Sequence, residues 1–362
     1  MPNRSENQYH PDVVSPPGET LRETLVALGM SQAELAQRMG RPKKTINEII
    51  KGKAALTPDT ALQLERVLGI SSGFWTNRDY HYREYLARRQ ESEKLRHKVG
   101  WLDEMPVRDM IKLGWIAQRT DKVRQLQEVL NFFGVASPEV WKRIWYGPKI
   151  AFRRSPAFRN DPGLLAGWLR IGEIKAREVE CAGYDPARFG KSLEKIRKLT
   201  VTPPATYRKE LTRICAEAGV ALVILPEPPR LSISGATRWL TPLKALLQIS
   251  LRYTTDDQFW LTFFHEAGHI LLHGKRDVFL ESNGHSPTKE EAADLFAMQQ
   301  LLPKDALTGF LADGAPSRDS VRKFADRMEL APGVLVGLLQ HHGILADSQF
   351  NDLKRLFKLE AK

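Results

Sequence analysis

His265-Glu266-Ala267-Gly268-His269 constrains this chain more than any other stretch of it. Two imidazoles four residues apart address one point in space only on an α-helix, where positions i and i+4 share a face about one turn apart. The flanking residues supply that helix. Thr255, Asp256 and Asp257 offer an N-cap and an acidic first turn, and Gly274 offers a left-handed stop, so a helix is predicted over Asp257 to His273. Chance is a poor source of the motif: with 9 His and 25 Glu in 362 residues, roughly 0.015 matches to His-Glu-x-x-His are expected.

The residue types specify a chemistry. Imidazoles ligate Zn2+, which lowers the pKa of water and polarises a carbonyl, and a neighbouring carboxylate, here Glu266, can carry the proton to a leaving amine. Peptide hydrolysis needs that combination. A tetrahedral zinc with one open position also needs a third protein ligand beside His265 and His269. His273 continues their face but lies about 12 Å along the axis from His265, and no glycine turn precedes it, so it reads as a packing or supporting residue. His285, in the polar loop SerAsnGlyHisSerPro, reads as solvent-exposed. The stronger candidate opens the next expected helix, Lys289 to Pro303, where Glu290 and Asp294 stand at i and i+4. Glu290 would take the metal while Asp294 orients a ligand imidazole through its free N–H. Glu291 is about 100° round the axis, and only Glu290 has Asp294 one turn on. The competing reading of Glu290 is a carboxylate capping its own helix. His285, Tyr253, Arg252, His341 and His342 are all eligible as oxyanion donor, and none stands out.

Upstream of the motif the pattern is strand-like. ValAlaLeuValIleLeu from Val220 ends at Pro-Glu-Pro-Pro, and the apolar stretches Ile233 to Leu240 and Ala245 to Leu251 follow, split by Thr241-Pro242. These predict a small three-stranded sheet. Residues 90–218 read as amphipathic helices broken by prolines, with Trp101, Trp115, Trp141, Trp145 and Trp168 as core. Residues 17–89 read as five short helices punctuated by Gly29, Gly40, Gly52 and Gly69. The expected fold is mainly α: a flexible arm (1–16), an N-terminal five-helix domain (17–89), a basic helical connector (90–218), an α+β zincin-like domain (219–312) and a helical extension (313–362).

Charge and composition narrow the partners. The net charge of +11 is uneven, at +3 over residues 1–90, +9 over 91–225 and −1 over 226–362. A basic excess in the first two thirds suits a polyanion. The start, MPNRSENQYH, has no apolar h-region and no apolar run approaches the roughly 20 residues that span a bilayer, so no membrane association is expected. Cys181 and Cys215 match no metal spacing, which points to a cytoplasmic chain with two buried thiols.

Within residues 17–89, Ser31 and Glu34 fit a capping box, a turn at Gly40 follows, and a second helix begins at Pro42. That is the spacing of a helix-turn-helix. Its second helix would enter the major groove of double-stranded DNA with Lys43, Lys44, Thr45 and Asn47 at base edges, while Gln32 and Lys51 meet phosphates or flanking bases. Such modules bind as dimers, so a homodimer on an inverted-repeat operator is expected. An all-helical partner-binding bundle is the competing reading.

Two resemblances extend this. PheHisGluAlaGlyHisIleLeuLeuHisGly followed by GluGluAlaAlaAspLeuPheAla and LeuLeuPro resembles the ImmA/IrrE metallo-endopeptidases over residues 219–303. By motif position the resemblance implies zinc on His265, His269 and Glu290, with Glu266 as the base. Where relatives often carry a second Glu, this chain has Ala292. GlyMetSerGlnAlaGluLeuAlaGlnArgMet, ArgProLysLysThrIleAsnGluIleIleLysGlyLys and ThrProAspThrAlaLeuGlnLeuGluArgValLeuGlyIle resemble the Xre-type helix-turn-helix of HigA-like antitoxins, as do ProProGlyGluThrLeu and PheTrpThrAsn. Together they imply a DNA-binding, antitoxin-like regulator carrying a zinc-dependent endopeptidase that cuts a partner protein or itself. The alternative is an antitoxin or autorepressor, with a toxin as partner, whose zinc half is a sensor or scaffold without turnover.

Overall fold

The structure is a computed structural model that describes residues 14–145, 161–252, 255–274, 279–280, 287–312 and 314–356. Tyr253, His285 and most of the expected N-terminal arm lie outside the described residues. The chain divides into two compact units, Met1–Val99 and Gly100–Lys362.

The first unit is helical: α1 (Pro17–Ala27), α2 (Gln32–Met39), α3 (Lys43–Ile50), α4 (Pro58–Leu68) and α5 (Ser72–Arg96). Leu21, Leu35, Ile46, Ile49, Leu64 and Trp75 meet in its core. Local chemistry sets the helix ends. The Ser31 hydroxyl accepts the Glu34 N–H at 3.1 Å, and Gly40 closes α2 at φ 63°, a left-handed conformation that glycine adopts without strain. Two expectations are corrected. The Glu34 carboxylate pairs with Arg38 at 2.6 Å rather than completing a capping box, because an i,i+4 guanidinium offers it a charged partner. Pro42 is the extended residue before α3, not its first helical position. Four of the five helices are short, but α5 has 25 residues. No Gly or Pro occurs between Gly73 and Gly100, and Asp79–Arg83 and Glu84–Arg88, both at 2.7 Å, brace it at i,i+4 spacing. It therefore runs through the boundary expected at 89/90.

The second unit starts with helices α6 (Val107–Lys112), α7 (Lys122–Phe133), α8 (Pro138–Trp145), α9 (Pro162–Glu178), α10 (Pro186–Lys198) and α11 (Pro204–Glu217). Strands β1 (Val220–Leu225), β2 (Gly235–Thr241) and β3 (Lys244–Ser250) follow, then α12 (Asp256–Leu272), the two-residue β4 (Phe279–Leu280), α13 (Pro287–Leu301), α14 (Lys304–Ala312), α15 (Arg318–Arg327) and α16 (Pro332–His341). The three expected strands are present, and β4 adds an edge, giving the order β1-β3-β2-β4. β1 runs parallel to β3, and β2 is antiparallel to both β3 and β4.

Composition shifts near residues 219 and 313 mark changes of secondary structure inside this unit rather than its limits. Phe189, Leu193, Tyr207 and Leu211 share one core with β1, β3, α12 and α16. Gln248, fully buried on β3, donates to the Trp168 carbonyl at 2.7 Å, and Arg238 of β2 pairs with Glu173 of α9. Trp101, Trp141, Trp145 and Trp168 are buried, while Trp115 is half-buried and stacks on Phe132. Cys215 is buried as expected, but Cys181 is only half-buried.

The C-terminal segment pins the start of α12. Lys354 Nζ lies 2.7 Å from Asp257 Oδ2, Arg355 N–H donates to Asp256 Oδ1 at 2.9 Å, and the Asp256 N–H returns a bond to the Arg355 carbonyl. The Arg355 guanidinium meanwhile donates to the carbonyls of Thr200, Val201 and Thr202. These contacts replace the expected side-chain cap, since Thr255 makes none. At the other end, His273 turns extended (φ −117°, ψ 163°), so Gly274 is not the left-handed stop. α13 starts two residues before the expected Lys289.

Candidate functional site

α12 and α13 pack closely because Gly268 lies between His265 and His269. A Cβ there would stand 3.3 Å from the Ala293 Cα and 3.1 Å from Phe296. With α13 this close, its first turn brings Glu290 to the histidine face. His265 Nε2 and His269 Nε2 are 2.9 Å apart, and Glu290 Oε2 is 3.4 Å from the first and 3.7 Å from the second. One ligand atom from each of the three residues falls within 4.8 Å of the others. Donors at tetrahedral positions about 2.1 Å from an ion stand roughly 3.4 Å from each other, so the observed separations bracket what one zinc requires. The residues fit the ion in chemistry and spacing.

The surroundings prepare the donors. Asp294 Oδ1 accepts from His265 Nδ1 at 2.7 Å, which leaves the Nε2 lone pair facing His269 and Glu290. Burial, more than any neighbouring charge, pushes His269 down to about 4, keeping its imidazole in the neutral, ligating form near pH 7. His273 Nε2 donates to the Lys289 carbonyl at 3.1 Å, tying the end of α12 to the residue before Glu290. Glu291 points outward and is exposed. Glu266 is 0% exposed, as is His269, and it faces the first residue of β2.

Of the remaining eligible residues, Arg252 pairs with Glu227 at 3.7 Å, and His341 and His342 are exposed. His341 lines a cavity of about 230 Å³ with Gln258, His265, Asp294 and Asp347. His273, read from the sequence as a packing or supporting residue, makes its contact with the Lys289 carbonyl, whereas sequence reasoning missed the contacts of Lys354 and the space at Gly235.

In the first unit, α3 is split into two faces. Ile46 and Ile49 are buried, Lys43 and Lys44 are exposed, and Thr45 and Asn47 are half-buried between them. Lys44 Nζ is 3.9 Å from Glu48 Oε1 but its side chain remains 85% exposed, so the contact holds it weakly. Gln32 is the first residue of α2, and Lys51 follows α3 directly and is exposed. Arg41, in the turn between the helices, is occupied by Gln63.

Comparison with known proteins bears on this first unit. Over 61 residues, 17% of the chain and 65% of the relative, it is 39% identical to an uncharacterized HTH-type transcriptional regulator, YddM, of Escherichia coli K12. Over 67 residues, 18% of the chain and 62% of the relative, it is 39% identical to virulence-associated protein I of Dichelobacter nodosus. The chain thus spans a little under two thirds of the length of each. Among solved structures, an addiction module antidote protein of the HigA family from Coxiella burnetii matches at 32% identity, with a TM-score of 0.22 over 23% of this chain and 92% of that one. The Pseudomonas aeruginosa antitoxin HigA with the higBA promoter matches at 29% identity, with a TM-score of 0.22 over 24% of this chain and 94% of that one. The sequence profile of the helix-turn-helix family matches residues 21–75, and the chain therefore carries a helix-turn-helix domain at its N-terminus.

Proposed function

We propose that this chain is an antitoxin-like, DNA-binding transcriptional regulator whose second unit is a zinc-dependent endopeptidase acting on a partner protein or on the chain itself. The DNA half rests on the helix-turn-helix match over residues 21–75 and on an α3 that presents Lys43 and Lys44 away from its apolar face. In this reading Lys43, Lys44, Thr45 and Asn47 meet base edges, and Gln32 and Lys51 hold the backbone. A homodimer reads two half-sites about 34 Å apart.

The observation that carries the enzymatic half is the convergence of His265, His269 and Glu290 within 4.8 Å, with Asp294 on the far nitrogen of His265. Bound there, zinc would polarise the scissile carbonyl and acidify water. Glu266 accepts the proton of the attacking water and delivers it to the leaving amine. His265 and His269 bind through neutral Nε2 atoms, Asp294 fixes the first ring, and His273 holds the turn that presents Glu290. Hydrolysis balances with water as the only co-reactant.

A second reading, a zinc sensor or scaffold without turnover, is favoured by one observation: Glu266 and His269 are both 0% exposed. The two are separated by incubating the zinc-loaded parent and Glu266→Gln proteins with a degenerate peptide pool and following pool and chain by intact mass. The peptidase reading expects cleavage of the pool or of the chain that Glu266→Gln abolishes. Equal masses in both proteins, with operator binding intact, would establish the sensor or scaffold instead.

A further inference from the structure

We infer that Gly235, on strand β2, is the residue that positions the Glu266 carboxylate; the inference rests on the reading of Glu266 as proton carrier. A glycine opening β2 has no side chain to pack there, and its presence needs a reason. Backbone conformation is not the reason here, since among the described residues the glycines with left-handed φ do not include Gly235. Space is. A Cβ at 235 would stand 2.4 Å from Glu266 Oε1, 2.7 Å from its Cγ and 2.9 Å from its Cδ, and these are its three nearest atoms.

Strand alternation supports the assignment. Arg238 reaches Glu173 of α9 on one side of the sheet, so Gly235, three residues away, presents the other side, toward α12. Neither backbone is free to retreat. β2 is held along β3 from Gly235–Ile249 to Thr241–Lys244, and α12 is anchored by the fully buried Trp260, Phe263 and Phe264. An alanine at 235 must therefore displace the Glu266 side chain, and an error of about 1 Å in such a group costs on the order of 10²-fold in rate. The metal donors are not among the three atoms nearest to it. Gly235 is thus a positioning residue: it reserves the volume in which the carboxylate sits.

The test uses the full chain as parent, Gly235→Ala, Glu266→Ala and the double variant. Thermal unfolding of the metal-stripped proteins forms a double-mutant cycle. Gly235→Ala is expected to lower the midpoint by about 3 °C or more when Glu266 is present and by under about 1 °C when it is alanine. On the zinc-loaded proteins, Gly235→Ala is expected to keep zinc affinity within about threefold of the parent but to weaken acetohydroxamic acid, whose proton Glu266 would accept, by about tenfold or more. Equal destabilisation in both backgrounds, or acetohydroxamate binding like the parent's, would overturn the inference. A parent that binds zinc but cleaves nothing refutes the peptidase reading alone, because neither readout depends on turnover.

Discussion

Replacing Asp294 by alanine removes the acceptor 2.7 Å from His265 Nδ1 and nothing else in the ligand set. Without it the His265 proton is no longer directed to Nδ1, and part of the population places it on Nε2, where the metal must bind. Loss of such a partner typically lowers metal affinity 10–100-fold. Asp294 is 50% exposed on its side chain, so water screens the pair and replaces part of the lost bond. The effect is therefore expected at the lower end, about tenfold or roughly 1.4 kcal/mol of binding free energy. Competition with a fluorescent zinc chelator measures it directly on the parent, Asp294→Ala and Asp294→Asn proteins. Thermal unfolding without metal serves as control, because a single hydrogen bond to a half-exposed carboxylate contributes only about 1 kcal/mol to the fold. Zinc affinity within twofold of the parent would refute the reasoning, as would a loss of affinity matched by an equal loss of metal-free stability.

Other outcomes follow from the same geometry. Lys43→Ala and Lys44→Ala should each weaken binding of operator DNA and relax its sequence preference, and Lys51→Ala should reduce the slope of log K against log salt by about 1, while Glu266→Gln leaves affinity and slope unchanged in gel-shift titrations. Lys354→Met strands Asp257, which is 0% exposed, without its counter-ion, and should destabilise the second unit by about 3–5 kcal/mol in urea unfolding; replacing both residues with apolar ones should cost less. Burial pushes the Asp256 carboxyl up to about 6, above its unfolded value of about 3.9. Its stabilising contribution is then complete below about pH 4 and lost as pH rises through about 6. The stability of the parent relative to Asp256→Asn should fall across that window and change little above it.

The helix carrying the motif was legible because its acidic first turn and i,i+4 histidines agree locally, although neither expected cap forms, and the strands were legible from short apolar runs between Pro and Gly. What escaped depends on contacts across the sequence. The Lys354–Asp257 pair joins residues 97 positions apart by their numbers, and no local pattern announces it. Gly235 and Glu266 illustrate the same limit: a glycine among apolar residues carries no sign of the carboxylate that needs its space. The long α5 was misread for the opposite reason. Glycine marks helix ends well where it occurs, but between Gly73 and Gly100 it is absent, and its absence extended a helix that earlier punctuation had suggested would be short.

On the proposed reading the second unit holds a metal through His265, His269 and Glu290. Elemental analysis of the purified full chain beside its His265→Ala variant tests it most directly. One zinc per chain in the parent, lost in the variant while the protein remains folded, is the predicted result. No zinc in the parent, or equal zinc in both proteins, would contradict it.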